Sequence, residues 1–109
     1  MEELVRTLVG ECRMQQAVAM ATVENGMRLF AYPLPDQGVL LALGGGPASS
    51  LTAEELLARR AGRLRQAGNW LPSMFVDGSL YLLRRLAAQE GGDAQELARQ
   101  LELARELLN

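Results

Sequence analysis

An Asp-Gly pair inside the stretch SMFVDGSLYLLRRL, residues 73–86, places the strongest constraint on what this chain can fold into. Asp-Gly between two apolar runs predicts a β-hairpin, because these residues accept the positive φ angles of a two-residue turn. With Asp77-Gly78 as the turn, Met74 faces Tyr81, and both faces of the hairpin are apolar. The two faces comprise Phe75, Leu80 and Leu82 on one side and Met74, Val76, Tyr81 and Leu83 on the other.

Both faces of this hairpin therefore need a cover. A row of exposed apolar side chains would form an aggregation-prone patch, and burying each large side chain is worth roughly 1.5–3 kcal/mol. Two arrangements supply the second cover. The second and third predicted helices sandwich the hairpin, or a second copy of the chain covers it across a two-fold axis. The apolar count slightly favours the dimer, and the same-chain sandwich stays open.

The remainder of the chain alternates between helical and extended patterns. Apolar residues recurring at helical spacing predict a first helix over residues 2–16. Asn25-Gly26 predicts a two-residue hairpin turn within residues 17–32, with Ala21 facing Phe30. Residues 39–43 form a third strand. Thr52 and Glu55 have the spacing of a capping box and begin a second helix that runs to about residue 67.

The last helix begins at Asp93 as N-cap and presents a stripe of Leu97, Leu101, Ala104 and Leu108. The order of elements is helix, three strands, helix, two strands, helix. Strand runs between separated helices predict an α+β fold, α-βββ-α-ββ-α, with a twisted antiparallel sheet in one domain over residues 1–109.

Composition excludes several classes of protein. The chain has 109 residues, a formal net charge of −2 and a pI of about 5.1, which argue against nucleic-acid binding through a basic field. It contains no apolar run of 18 residues, which predicts no membrane insertion. The acidic start and the single cysteine predict a cytoplasmic protein without a signal peptide or an internal disulfide.

The side chains that carry most catalysis are missing from the sequence. Histidine, the commonest general base and metal ligand, does not occur. Cys12 lies on the apolar stripe of the first helix and is interpreted as a buried hydrophobe. The run Gly44-Gly45-Gly46 lacks the lysine of a phosphate-binding loop. Arg59, Arg60, Arg63 and Arg65 are interpreted as a solvated helix face that meets Glu54 and Glu55, with binding of an acidic partner or nucleic acid as the alternative. We therefore expect no enzyme activity, no metal and no cofactor.

A family resemblance accounts for most of the chain. The stretch LRQAGNWLPSMFVDGSLYLLRRL, the following DAQELARQLELARELL and the early ENGMRLFAY, together with the order of elements, resemble the class I chaperones of type III secretion, the family of the Tir chaperone. The resemblance implies a dimeric cytoplasmic bacterial chaperone without enzyme activity. It would hold the N-terminal region of a secreted protein, either an effector or a component of the secretion apparatus, in an extended and secretion-competent form.

The resemblance also implies two surfaces. The client would meet the first helix and the first sheet, at Leu4, Val5, Leu8, Val9, Phe30 and Tyr32. The dimer interface, with an identical or a related chain, would use Leu57, Ala61, Leu64, Met74, Val76, Tyr81 and Leu83.

A second hypothesis comes from another class of protein. Small modules of the roadblock or longin type also combine helices with hairpins, dimerise and act as scaffolds in regulatory complexes. They usually have three strands after the second helix, whereas this sequence predicts two. The strand count therefore discriminates between the two hypotheses.

Overall fold

The computed structural model describes residues 2–23, 26–44, 51–87 and 94–108. Its elements are α1 (Glu2–Gln15), β1 (Ala19–Thr22), β2 (Arg28–Pro33), β3 (Val39–Gly44), α2 (Ala53–Ala61), α3 (Leu64–Ala67), β4 (Leu71–Met74), β5 (Leu80–Leu86) and α4 (Ala94–Leu108). The five strands form one antiparallel sheet in the order β1-β2-β3-β5-β4. The predicted α+β class, the antiparallel sheet and the order of the strands along the chain are confirmed.

The core lies on one face of this sheet, which we call the helix face. Side chains alternate between the two faces of a strand, and the buried residues Leu29, Leu41, Leu43 and Leu82 all point to the helix face. They pack with the apolar stripes of α1 and α4 in one cluster. The cluster includes the stripe residues Val5, Leu8, Val9, Cys12, Leu97, Leu101, Ala104 and Leu108.

The second predicted helix is interrupted. Its capping box is present as predicted, since Glu55 N–H donates to Thr52 Oγ1 at 3.1 Å and Thr52 N–H donates to Glu55 Oε1 at 3.3 Å. The helix ends at Ala61, and a separate short helix, α3, begins at Leu64. The prediction of one helix to residue 67 is therefore wrong, because the chain leaves helical geometry at Arg63, whose φ and ψ are −133° and 34°.

The arginines of this region contact other elements and not the glutamates of their own helix. Arg59 donates to the Leu107 carbonyl at 3.0 Å, and Arg63 pairs with Glu106 at 2.9 Å. Arg60 donates to the carbonyls of Trp70 and Gly68, at 2.7 and 3.2 Å. Arg59, Arg63 and Arg65 are exposed, as a solvated face requires, and Arg60 is half-buried. The predicted pairing with Glu54 and Glu55 is wrong, because three of these side chains instead join α2 and its C-terminal turn to α4 and to the start of β4.

Both hairpins have a register one residue away from the prediction. Leu29 faces Ala21 in the first hairpin, where the prediction paired Ala21 with Phe30. Val23 N–H donates to the Met27 carbonyl at 2.8 Å, so the loop between them is one residue longer than a two-residue turn. Asn25, part of the predicted turn, lies outside the described residues, as does the predicted N-cap Asp93.

The late hairpin shows the same correction with its turn fully described. Phe75 N–H donates to the Ser79 carbonyl and Gly78 N–H to the Phe75 carbonyl, both at 2.8 Å. Gly78 has a φ of 86°. This is the hydrogen bonding of a three-residue loop closed by a glycine in the left-handed region. Met74 consequently faces Leu80 on the helix face. A one-residue shift reverses the face of every side chain on a strand.

Candidate protein-binding surface

The face of the sheet opposite the core carries mostly apolar side chains, with Arg28 and Arg85 toward its ends, and contributes no side chain to the core cluster. We call it the open face. Met20 and Leu71 on it are 54% and 58% exposed, while Phe30, Tyr32, Leu40 and Leu83 are half-buried. All four described helices contribute to the core cluster on the helix face, with Leu56 from α2 and Ala67 from α3. The alternative in which the second and third predicted helices cover the hairpin from both sides is therefore not formed by the described residues. The open face is therefore an apolar surface that no described helix covers.

Four aromatic rings form a row across the open face. The rings of Phe75 and Tyr81 stack with centroids 4.1 Å apart and planes inclined by 11°. Phe30 lies 5.9 Å from Tyr81 in a tilted arrangement and 5.9 Å from Tyr32 in a stacked one. These separations fall in the range of favourable aromatic pairs. The row joins β2 to the late hairpin across β3.

Small residues on β3 allow the row to form. Ala42 faces Phe30 on one neighbour strand, and Gly44 faces Tyr81 on the other. A Cβ atom on Gly44 would overlap the Tyr81 ring. Because β3 presents little side-chain volume at these two positions, rings from β2 and β5 meet above it. Burial raises the pKa of the Tyr81 hydroxyl, with nearby Arg28 acting in the opposite direction.

The two edges of the sheet differ in their free hydrogen-bonding groups. Along an antiparallel edge strand, the backbone groups of alternate residues point toward the neighbouring strand and away from it. Because Val23 N–H bonds to the Met27 carbonyl, the backbone groups of Ala19 and Ala21 also point toward β2 and pair with it. The N–H and C=O groups of Met20 and Thr22 therefore point outward. An edge with free donors and acceptors can pair with an added strand.

The opposite edge, β4, lacks one of these donors. The Phe75 to Ser79 bond directs the backbone groups of Ser73 and Leu71 toward β5, which leaves Pro72 and Met74 at the outward positions. Proline has no N–H to donate. Pro72 therefore disfavours strand addition at this edge.

Exposed apolar side chains continue from β4 onto the outer surface of α2 and α3. Leu57 and Leu64 are 53% and 52% exposed, and Ala61 is exposed as well. Leu56 is the buried residue of α2. The predicted stripe of Leu57, Ala61 and Leu64 thus faces solvent in this chain. The neighbouring Leu56 instead packs into the core and holds α2 against it.

The predicted client residues fall on both faces of the sheet. Phe30 and Tyr32 lie in the aromatic row, with Leu4 half-buried on α1. Val5, Leu8 and Val9 are at most 5% exposed and pack inside the core under the helix face. The structure therefore does not join these residues into one groove, because the stripe of α1 is used for folding.

The predicted dimer residues fall on three neighbouring places. Leu57, Ala61 and Leu64 lie on the outer surface of α2 and α3. Met74 and Val76 lie at the end of the late hairpin, and Tyr81 and Leu83 lie on the open face. Tyr81 is 4% exposed because Phe75 and Phe30 flank its ring. Sequence reasoning missed Leu40 and Leu71, whose membership of the open face required the register.

The single cysteine and the acidic side chains are also candidate sites. Cys12 is fully buried, which agrees with its interpretation as a hydrophobe, and burial raises the pKa of its thiol. No group of three or more Cys, Asp or Glu side chains in the described ranges is arranged to hold a metal ion. Across the same ranges, no helix has both the length and the apolar character needed to span a membrane.

Comparison with known proteins identifies the fold. No protein-family model matches the sequence, and no curated protein sequence matches it. Solved structures do match. The crystal structure of the ExsC–ExsE complex aligns over 95% of this chain and 86% of its own, with a TM-score of 0.59 and 11% identity. The HopA1–SchA chaperone–effector complex aligns over 97% and 94%, with a TM-score of 0.60 and 16% identity.

A third structure is the Yersinia pestis type III secretion chaperone SycH in complex with a stable fragment of YscM2. It aligns over 96% of this chain and 99% of its own, with a TM-score of 0.51 and 17% identity. The chain therefore has the fold of the class I type III secretion chaperones, as the resemblance implied. Two strands follow α2, as predicted, which does not favour the roadblock or longin alternative.

Proposed function

We propose that this protein is a type III secretion chaperone of the bacterial cytoplasm. It binds the N-terminal region of a secreted protein, an effector or a component of the apparatus, and keeps it competent for secretion without acting as an enzyme. The observation that carries the proposal is the apolar open face, which lies uncovered on a fold shared with chains of chaperone complexes. A fold alone does not specify a function, whereas an exposed apolar surface of this kind marks a protein-binding site.

The client binds at the β1 end of the sheet in this proposal. The outward backbone groups of Met20 and Thr22 pair with an extended client segment, which adds as a sixth strand. Client side chains on one side of that strand lie beside Met20, Phe30 and Tyr32. Leu4 contributes from α1 where it is half-buried, while Val5, Leu8 and Val9 act indirectly by holding α1 on the sheet.

A second chain covers the β4 side of the molecule. Pro72 disfavours strand addition there, and the exposed side chains of Leu57, Leu64 and Met74 offer apolar contacts instead. The proposed chaperone thus separates its two partners. Backbone pairing holds the client at one edge of the sheet, and side-chain packing holds the second chain near the other.

Co-purification from the native host followed by mass spectrometry tests this function. We expect one secreted protein to be recovered, and a purified N-terminal segment of that protein to bind the chain directly. Phe30→Asp should weaken that binding by about tenfold or more, because it places a carboxylate against an apolar client side chain. Met14→Asp, which changes an exposed residue of α1, is the matched control. Recovery of a GTPase complex and no secreted protein would refute the proposal.

A further inference from the structure

We propose that the client segment carries an acidic side chain and that Arg28, on the open face beside the free β1 edge, selects it. The acidic residue lies two positions from a large apolar residue of the same segment. The inference rests on the proposed function and deepens it, because it names the chemistry of the segment that adds to the sheet.

Two rows of side chains cross the open face at the free edge. In the first, which we call the charged row, Thr22 on β1 faces Arg28 on β2, and Arg28 faces Gly44 on β3. In the second, which we call the apolar row, Met20 faces Phe30. Residues two apart on a strand share a face, so the two rows are neighbours. A strand added at β1 therefore places one side chain beside the charged row and, two positions away, another beside the apolar row.

Arg28 is an exposed cation that forms no hydrogen bond or ion pair with any of the described residues. Other arginines of the chain pair with carboxylates of the same chain, namely Arg6, Arg63, Arg85, Arg99 and Arg105. Within the described chain, Arg28 therefore has no bonded partner to give up when a client acid approaches.

The carboxylate of Asp77 acts on Arg28 through space. Asp77 Oδ1 accepts hydrogen bonds from the N–H and the hydroxyl of Ser79, at 3.0 and 2.5 Å. These bonds hold the pKa of Asp77 below its ordinary value, and Arg28 makes a smaller contribution. On the same side, the Tyr81 ring occupies the space over Gly44. These neighbours leave Arg28 accessible to a partner that approaches from the β1 edge.

The distance from Arg28 to an added strand suits a charge pair. Arg28 lies one strand in from the edge, so its Cα atom is two strand spacings, roughly 10 Å, from that of the client residue beside Thr22. An extended arginine and an extended glutamate side chain together span this distance. Thr22, which lies between them, is exposed and short, so the guanidinium group can cross it toward the client.

The two rows ask for different client side chains. A client strand at the edge displaces water from Arg28, and covering a charge costs free energy unless an opposite charge replaces the water. Opposite charges on neighbouring strands attract, whereas like charges repel. A client acid is therefore favoured beside the charged row, and a client base is rejected. Beside the apolar row, Met20 is 54% exposed and Phe30 is half-buried, so a large apolar side chain gains the most contact.

The overall charge of the chain cannot produce this preference. The formal net charge is −2, so the long-range field of the protein repels an acidic segment. A preference for acid must come from a local cation, and Arg28 is the cation of the charged row. This separates selection by Arg28 from general electrostatic attraction and gives the experiment a matched control.

Selection from a phage-displayed library of short random peptides, with the purified chain as bait, tests the inference. The wild-type chain should enrich Asp or Glu two positions from a large apolar residue by about threefold or more over the unselected library. In a selected peptide, replacing the acid with Gln should weaken binding by about threefold, and replacing it with Arg by about tenfold. Arg28→Glu should reverse this order, so that the Arg peptide binds more tightly than the acidic one.

Control variants keep these outcomes decisive. Arg65→Glu makes the same change in net charge at an exposed position of α3 and should keep the preference for acid. Arg28→Gln should lose that preference without gaining one for bases, and it replaces Arg28→Glu if thermal melting shows that the latter is unfolded. A selection that enriches no acid, a preference that Arg28→Glu retains, or one that Arg65→Glu loses would each overturn the inference.

A second substitution tests the geometry with Arg28 unchanged. Thr22→Glu places a carboxylate directly opposite Arg28, from the strand that the client would cover. It should abolish the preference for a client acid, because Arg28 then has a partner in its own chain. Thr22→Gln has a similar size without the charge and should keep the preference. If Thr22→Glu keeps it as well, the client acid does not lie beside the charged row and the inference fails.

Failure of this inference is distinguishable from failure of the proposed function. A secreted client that binds Arg28→Glu as tightly as the wild-type chain refutes acid selection alone. Selected acidic peptides that depend on Arg28, together with the absence of any secreted client in the native host, refute the function alone.

Discussion

The ring of Tyr81 lies over Gly44 on the neighbouring strand, in the space that the Cβ atom of any larger residue would fill. An aromatic ring over a strand glycine shields the backbone that the glycine leaves bare. The same ring stacks on Phe75 and contacts Phe30, so one missing Cβ atom permits the aromatic row that crosses the open face. The candidate binding surface thus depends on a residue that contributes no side chain to it.

Gly44→Ala should lower the free energy of unfolding by roughly 1–3 kcal/mol, because the added methyl group displaces the Tyr81 ring from its packed position. Chemical denaturation followed by circular dichroism measures the change. Gly10→Ala is the matched control, since a Cβ at this helical position meets no atom within 4 Å. It should instead stabilise the chain by about 0.5–1 kcal/mol through helix propensity. Equal effects at the two glycines would contradict the steric account.

Met20→Pro should weaken client binding without unfolding the chain. The proline removes an outward N–H from the free edge of the sheet and spares the bonds that join β1 to β2. We expect at least about a tenfold loss of affinity for the client segment, measured by calorimetry. Met20→Ala separates the two contributions of this residue, because it removes the side chain and keeps the donor. If Met20→Ala loses as much as Met20→Pro, backbone pairing is not the reason.

Arg60→Ala should lower the free energy of unfolding by roughly 1.5–3 kcal/mol. The guanidinium donates to the carbonyls of Trp70 and Gly68, and hydrogen bonds to charged groups are worth more than neutral ones. Trp70 is fully buried and is the single tryptophan of the chain, so its fluorescence reports the transition directly. Arg65→Ala, at an exposed position of α3, provides the control and should change stability by less than about 0.5 kcal/mol.

Acid should weaken the turn of the late hairpin at a lower pH than free aspartate would suggest. Hydrogen bonds from Ser79 hold the pKa of Asp77 below its ordinary value, with a smaller contribution from Arg28. A depressed folded-state pKa means that the contribution of Asp77 to stability is complete above the ordinary Asp pKa of about 3.9. It is lost as the pH falls through the lower, folded-state pKa.

The difference in stability between wild type and Asp77→Asn measures this effect across the acid range. We expect the difference to be constant near neutral pH and to shrink only below pH 4. The same titration observed at the Ser79 amide by NMR should show its midpoint below the ordinary Asp value. A midpoint at or above that value would show that the turn does not stabilise the carboxylate.

Local sequence patterns determined the helices and strands of this protein and the number of apolar side chains that need to be covered. The capping box at Thr52, the stripes of α1 and α4, and the two glycine turns each act over a few residues. The sequence therefore predicted the α+β class and the order of the strands along the chain, but not their order within the sheet. The sequence also indicated that the late hairpin has more apolar side chains than one covered face requires. This count holds in either register, because it does not depend on which residues of the two strands face each other.

Only the tertiary structure decided which side chains share a face. Each hairpin loop is one residue longer than its turn motif predicted, and this shift moves Met74 to the helix face and groups Phe30 with Tyr81. The sequence also could not show which partner the apolar stripe of α1 contacts. Its composition would suit a binding surface, but in the structure the stripe is buried in the core. Strand register and burial depend on contacts between residues far apart in the chain. Short-range patterns therefore determine which side chains need to be buried, whereas the tertiary fold determines on which face of the sheet each of them lies.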